Sequence, residues 1–219
     1  MTESAARPTA GPDITRPDSR TTYLGHWFVD GPEQGPAVLD ELVDAWQASP
    51  WPEGILTFSC YLSAESDTVM TYAQCTNDTV YRPFARGLNL PPGPATADPI
   101  EYRLHRSVVA RPAAGPPKTV AVASFDVDGS ERQRRIVAAI VGNLENAPPD
   151  EQAGLIASNF HLSVDGTRVI NFAEWTDDEA HIAFLDGATR HRSLQITNDM
   201  PGVRPLGYRR YHLYQSLAR

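Results

Sequence analysis

The hydrophobic pattern of this chain switches repeatedly between a period of two and a period near 3.6. In the C-terminal half, 120–127 reads as a strand, followed by the turn Asp128-Gly129-Ser130. A helix over about 131–143 comes next, with Ile136, Ile140 and Val141 or Leu144 at helical spacing and Ser130 placed as a cap. Residues 155–163 and 167–175 read as two strands around Val164-Asp165-Gly166, a strong hairpin signal. A second helix is expected near 178–185, begun at Thr176 or Asp177, and a tyrosine-rich strand over 207–216 ends the chain. The N-terminal half predicts the same order: strand 23–29, helix 38–47, strands 55–63 and 68–75, helix 79–86 and strand 100–109.

The two halves also share residues. A shift of 100 positions lays Gly54–Gly87 on Gly154–Gly187 without a gap and gives nine identities, among them Gly54/Gly154, Ser63/Ser163, Ala73/Ala173 and Phe84/Phe184. Unrelated sequence would give roughly two. The order strand, helix, strand, strand, helix, strand is the split βαβ, or ferredoxin-like, unit. Its sheet carries helices on one face only, so the other face needs cover. Two copies packed sheet to sheet within one chain would provide it. The expected organisation is a disordered tail over 1–20, a first repeat over 21–110, a Pro/Gly-rich linker over 111–118 and a second repeat over 119–219.

Bulk properties narrow the function. A net charge of -8 and a pI near 5.2 argue against a nucleic-acid partner. The apolar runs are strand-length, which argues against a membrane span, and the polar N-terminus lacks the apolar core of a signal peptide. Cys60 and Cys75 lie in one copy with neither CxxC nor metal spacing, so a reducing cytoplasm is the simplest location. No His/Asp/Glu set has ligand spacing, so no metal is expected. A pseudo-dimer within one chain is expected, and a further homodimer stays open.

The second repeat carries His161-Leu-Ser163-Val-Asp165-Gly166-Thr167-Arg168-Val-Ile-Asn171-Phe-Ala-Glu-Trp175. This set resembles the antibiotic biosynthesis monooxygenase superfamily, and within it the anthrone-type, quinone-forming enzymes of aromatic polyketide pathways. The resemblance implies an α+β fold: tandem ferredoxin-like repeats forming an intramolecular dimeric α+β barrel. It also implies oxidation of an aromatic polyketide, anthrone or phenol to quinone, with O2 as co-substrate and no metal, heme or flavin as a prosthetic group. An electron-rich substrate anion reacts with oxygen itself, so the protein has to orient it, stabilise the anion and supply protons.

On this resemblance Asn171 donates to an oxyanion, Trp175 offers a wall and an indole N–H, and His161 moves a proton. His181 stands where some members carry a proton-donating Tyr; a helix-surface role is the alternative. Arg190 and Arg192 are both candidates for a downstream Arg. Asn159, Phe172 and Tyr208 are further candidates for substrate contact. In the first repeat Tyr61, Thr71 and Cys75 replace His161, Asn171 and Trp175, which implies one active site per chain. Asn171 and Trp175 share a strand face by parity. A two-residue turn would put His161 on the opposite face, while a three-residue loop, the favoured reading, would place Asn159, His161, Asn171 and Trp175 together. Other activities stay open: a hydroxylase or ring-cleaving oxygenase using transient reduced flavin, and a non-redox polyketide cyclase or binding protein.

Overall fold

The duplicated pattern is realised as two α+β units in a computed structural model that describes residues 6–88, 90, 98–111 and 115–219. One unit runs through Tyr102 and takes in Tyr211–Arg219; the other is Arg103–Arg210.

The first unit contains β1 (Arg7–Thr9), β2 (Thr21–Phe28), α1 (Gln34–Ala48), β3 (Ile55–Ser63), β4 (Thr68–Cys75) and α2 (Tyr81–Gly87). It also holds the start of β5 (Ile100–Val109) and the end of β9 (Val203–Ala218). β4 pairs antiparallel with β2 on one side and β3 on the other. β2 also pairs with the start of β5, Thr22 opposite Tyr102, and β3 with the end of β9, Ser63 opposite Tyr211. α1 has a 3.6-residue apolar stripe, and it buries Leu39, Leu42 and Trp46 among Tyr23, Phe58, Val69 and Ala73. The Trp46 ring stacks on Phe58 at 3.9 Å.

The expected disordered tail is corrected over residues 6–20. β1 pairs with β9, Arg7 opposite Ala218, and Ile14 is buried. The Gln74 amide donates to the Asp13 carbonyl at 2.9 Å. A free strand edge and one apolar side chain suffice to order a segment that composition marks as polar.

The second unit contains the rest of β5, β6 (Thr119–Val127), α3 (Ser130–Glu145), a 3-10 turn (Pro149–Gln152), β7 (Leu155–Ser163) and β8 (Arg168–Trp175). α4 (Asp178–Leu185), α5 (Ala188–Asp199) and the start of β9 complete it. β8 pairs antiparallel with β6 and β7. α3 buries Ile136, Val137, Ile140, Val141 and Leu144 with Phe125, Phe160 and Val169. Asp177 caps α4, its carboxylate accepting from the Ala180 N–H at 2.8 Å. Ser130 does not cap α3; Gly129 takes the cap position, without a side-chain bond.

The strand order is β1-β9-β3-β4-β2-β5-β7-β8-β6, with β9 also bonded to β6, so the hydrogen-bonded order closes on itself. The repeat boundaries at 110 and 119 therefore do not bound the units. Each repeat's last strand begins in the unit of its own repeat and ends in the other. Of the expected linker, 112–114 lie outside the described residues, and the Arg111 N–H donates to Ile156.

One duplicated detail has a clear physical cause. Gly54 and Gly154 sit at φ +111° and +84°, each just before a register shift at the start of β3 or β7. Their carbonyls accept from Thr76 and Thr176 at 2.8 and 2.9 Å. A Cβ on Gly154 would lie 2.3 Å from that of Ala180, so glycine is the residue that fits both the dihedral and the approach of α4.

Among the described residues no helix is long and apolar enough to cross a membrane.

Candidate active site

Alternation along β8 turns Asn171, Ala173 and Trp175 toward the helices of the second unit. Across β6 the partners of Asn171 and Ala173 are Ala123 and Ala121, two small side chains that leave space beneath α3, α4 and α5. The result is a cavity of about 140 Å³. Its walls include Phe125, Ile140, Leu155, Phe184 and Leu194, and its polar groups come from Ser158, Asn171, Trp175, His181, Arg190 and Tyr208.

Several of these groups are unsatisfied. The Ser158 hydroxyl donates to Asn171 Oδ1 at 2.8 Å, which leaves the Asn171 Nδ2 donors for the cavity. Trp175 Nε1 and His181 Nδ1 are buried and have no hydrogen-bond partner among the described residues. A buried unpaired donor or acceptor costs about 1–3 kcal/mol, so two beside one cavity leave hydrogen-bonding capacity that a polar ligand atom would satisfy. Their rings are in contact, with centroids 5.2 Å apart, and Tyr208 meets His181 edge-on at 5.3 Å.

Electrostatics separates the roles. Burial, helped by the charge of Arg210, pushes the His181 pKa down to about 4, against the pull of Asp178. The imidazole is therefore neutral at pH 7 and can donate or accept. Burial also lowers the Arg190 guanidinium below its usual value, with Tyr208 opposing. No ion pair to Arg190 occurs among the described residues, so an anion in the cavity would meet a free cation.

The structure brings together Asn171, Trp175, His181, Arg190 and Tyr208, and it removes four other candidates. His161 lies opposite Ile170, on the far face of the sheet from Asn171. It is fully buried with Nδ1 3.1 Å from the Asn159 carbonyl, and desolvation pushes its pKa to about 4. Asn159 shares that far face; it donates to the Phe172 carbonyl and Glu174, and accepts from Ser107 at 2.7 Å. Phe172, opposite Asn159, is buried there too. Arg192 is a clip between Glu151 at 2.7 Å and Asn143 at 3.0 Å.

The reason for the His161 correction is the hairpin. Strand β7 ends at Ser163 and β8 begins at Arg168, so the loop has four residues, neither two nor three. Ser163 Oγ accepts from the Arg168 N–H at 2.8 Å and donates to Asp165 at 2.6 Å, while Gly166 at φ +79° closes the turn. That register gives His161 the parity of Ile170. The surface alternative for His181 is corrected as well: the residue is 4% exposed because α4 lays it against Trp175.

Sequence reasoning missed α5, which supplies Ser193, Leu194 and Thr197 as well as Arg190. Its sequence Ala-Thr-Arg-His-Arg-Ser-Leu-Gln-Ile-Thr-Asn-Asp has no apolar stripe. Packing holds it instead, through Asn143 donating to the Thr189 carbonyl and Ser193. Ser158 was missed because its first-repeat counterpart is Phe58, and nothing in the sequence marks the hydroxyl as a partner of Asn171.

No protein-family model and no curated protein matches the chain. Solved structures do. A crystal structure of an anthrone oxidase-like protein aligns with TM-score 0.73 at 14% identity, covering 91% of this chain and 93% of that one. A ferredoxin-fold protein from Listeria monocytogenes related to antibiotic biosynthesis monooxygenases aligns with TM-score 0.53 at 10% identity, covering 89% and 94%. A monooxygenase-like protein from Listeria innocua gives the same figures. The chain thus shares the ferredoxin-like α+β fold of these proteins over nearly its whole length.

Proposed function

We propose that the chain is a monooxygenase that oxidises an anthrone- or phenol-type aromatic polyketide to a quinone with O2, in the assembly of an antibiotic-like product. The observation that carries this reading is the convergence of unsatisfied donors and one unpaired cation on an apolar cavity: Asn171 Nδ2, Trp175 Nε1, neutral His181 and Arg190. The fold shared with an anthrone oxidase-like protein supports the choice of substrate.

The apolar walls take the ring system and exclude water. His181 accepts the proton lost by the substrate, and the resulting oxyanion is held by the N–H groups of Asn171 and Trp175 and by Arg190. Such preorganised donors in a low-dielectric site are each worth about 10²–10³ in rate. The delocalised electron-rich carbon then reduces O2. One oxygen atom enters the ring as the quinone carbonyl and the other leaves as water, so a CH2 group plus O2 gives C=O plus H2O. His181 returns its proton to the departing oxygen. On this reading no resident metal, heme or flavin takes part.

Oxygen uptake with anthrone as substrate tests it, comparing wild type with Asn171→Ala. Uptake with quinone formation in the wild type, and loss in the variant, is the expected result. Uptake that appears only with added reduced flavin replaces the cofactor-free step with a flavin-fed oxygenation. Turnover without uptake, or binding without turnover, replaces oxidation with cyclisation or carriage.

A further inference from the structure

The first unit contains its own cavity, and it is the larger of the two at about 330 Å³. It occupies the place equivalent to the second-unit cavity, since Thr71 and Tyr81 stand where Asn171 and His181 stand in the repeat. Its lining has different chemistry. Trp27, Trp46, Phe58 and Tyr81 make aromatic walls, and Arg82 and Arg86 on α2 bring two cations to it. Arg82 is already engaged, paired with Asp98 at 3.2 Å and set over the Tyr23 ring at 5.6 Å. Arg86 has no acidic partner among the described residues. The cavity therefore keeps one uncompensated positive charge in a chain of net charge -8. Trp27 Nε1, another lining group, is buried and donates to no group among the described residues. A free cation, an unused N–H donor and aromatic walls are complementary to a flat aromatic acid.

We infer that the first unit is a second small-molecule site, which binds a planar aromatic anion through Arg86 and Trp27 Nε1 without reacting with it. The absence of reaction follows from the replacements. Cys75, in the place of Trp175, does not line the cavity, and burial pushes its thiol up to about 12. Burial raises the Tyr81 hydroxyl too, so at neutral pH the counterpart of His181 is a fixed phenol. The site stands independently of the activity proposed for the second unit.

Calorimetric titration of the full chain with 2-naphthoate tests this inference, with the neutral 2-naphthalenemethanol as control. The expected result is saturable naphthoate binding that weakens about tenfold in Arg86→Gln, the loss of one charge-assisted contact. Trp27→Phe, which keeps a ring and removes the donor, should weaken it as well, and the alcohol should bind at least about tenfold more weakly than the acid. Arg190→Gln, in the other cavity, should leave the Arg86-dependent component of this binding unchanged. Circular dichroism of each variant checks the fold; Arg86 is exposed, so its replacement is expected to be silent there. No saturable binding to the wild type overturns the proposal. Binding indifferent to Arg86→Gln, or lost in Arg190→Gln alone, overturns it equally.

Discussion

Trp175 and His181 sit with ring centroids 5.2 Å apart, and each keeps a buried nitrogen without a hydrogen-bond partner among the described residues. One residue comes from the end of β8 and the other from the first turns of α4, so the contact joins strand to helix at the wall of the cavity. Two unsatisfied polar atoms on adjoining rings are a standing cost to the fold, and that cost gives the first prediction.

His181→Phe should stabilise the protein while removing activity. The substitution deletes the unpaired Nδ1, whose burial costs about 1–3 kcal/mol, and keeps an aromatic ring against Trp175. Urea denaturation should show a higher midpoint, and oxygen uptake should fall by about two orders of magnitude, the scale of a lost general acid–base group. A lower midpoint would mean that the imidazole has a partner in the folded state.

The pH profile should place the working histidine well below its ordinary range. His181 is held near pKa 4 by burial and Arg210, so kcat/KM governed by its neutral form should rise through about pH 4 and be flat across pH 6–7. An acid limb at the ordinary value near 6.5 would instead describe a solvated imidazole.

Stability should have its own pH dependence, set by His161 as well as His181. Both histidines have folded pKa values depressed to about 4 against an ordinary 6.5. The unfolded chain therefore binds more protons between pH 6.5 and 4, and stability falls as pH drops through that window while being fully present above it. Each histidine contributes a slope of about 1.4 kcal/mol per pH unit there. Denaturation in pH steps should show the slope, and His161→Gln should reduce it; an unchanged slope would remove His161 as a source.

Arg190 and Arg192 should separate cleanly. Arg190 lines the cavity, so Arg190→Gln should raise KM for a phenolic substrate by about tenfold, as for loss of a charge-assisted bond. Arg192 is occupied by Glu151 and Asn143 outside the cavity, so Arg192→Gln should leave KM within about twofold. The reverse pattern would relocate the anion site to the clip.

Gly154→Ala should cost more than an ordinary surface change, by about 2 kcal/mol or more, because it combines positive φ with a collision against Ala180. Gly54→Ala should follow with a smaller penalty, its nearest obstacle being Thr76 Oγ1 at 2.9 Å rather than a carbon at 2.3 Å. Equal effects would mean that the dihedral, not the contact, dominates.

The sequence by itself determined the repeat, the order of the strand-helix-strand-strand-helix-strand elements within each copy, and the bounds of β3, β5, β7 and α4, because these rest on local periodicity and turn chemistry. It also determined that Asn171 and Trp175 share a face, since strand parity is a local property. Tertiary structure decided the rest. His161 left the site because the side chains of Ser163 and Asp165 build a four-residue loop, and a change of one in register reverses every side chain. His181 entered the core because α4 packs on Trp175, and α5 formed on polar sequence because Asn143 and Glu151 hold it. The last strands changed unit part-way along because pairing partners are chosen by hydrogen-bonded neighbours, which the pattern along one strand does not specify.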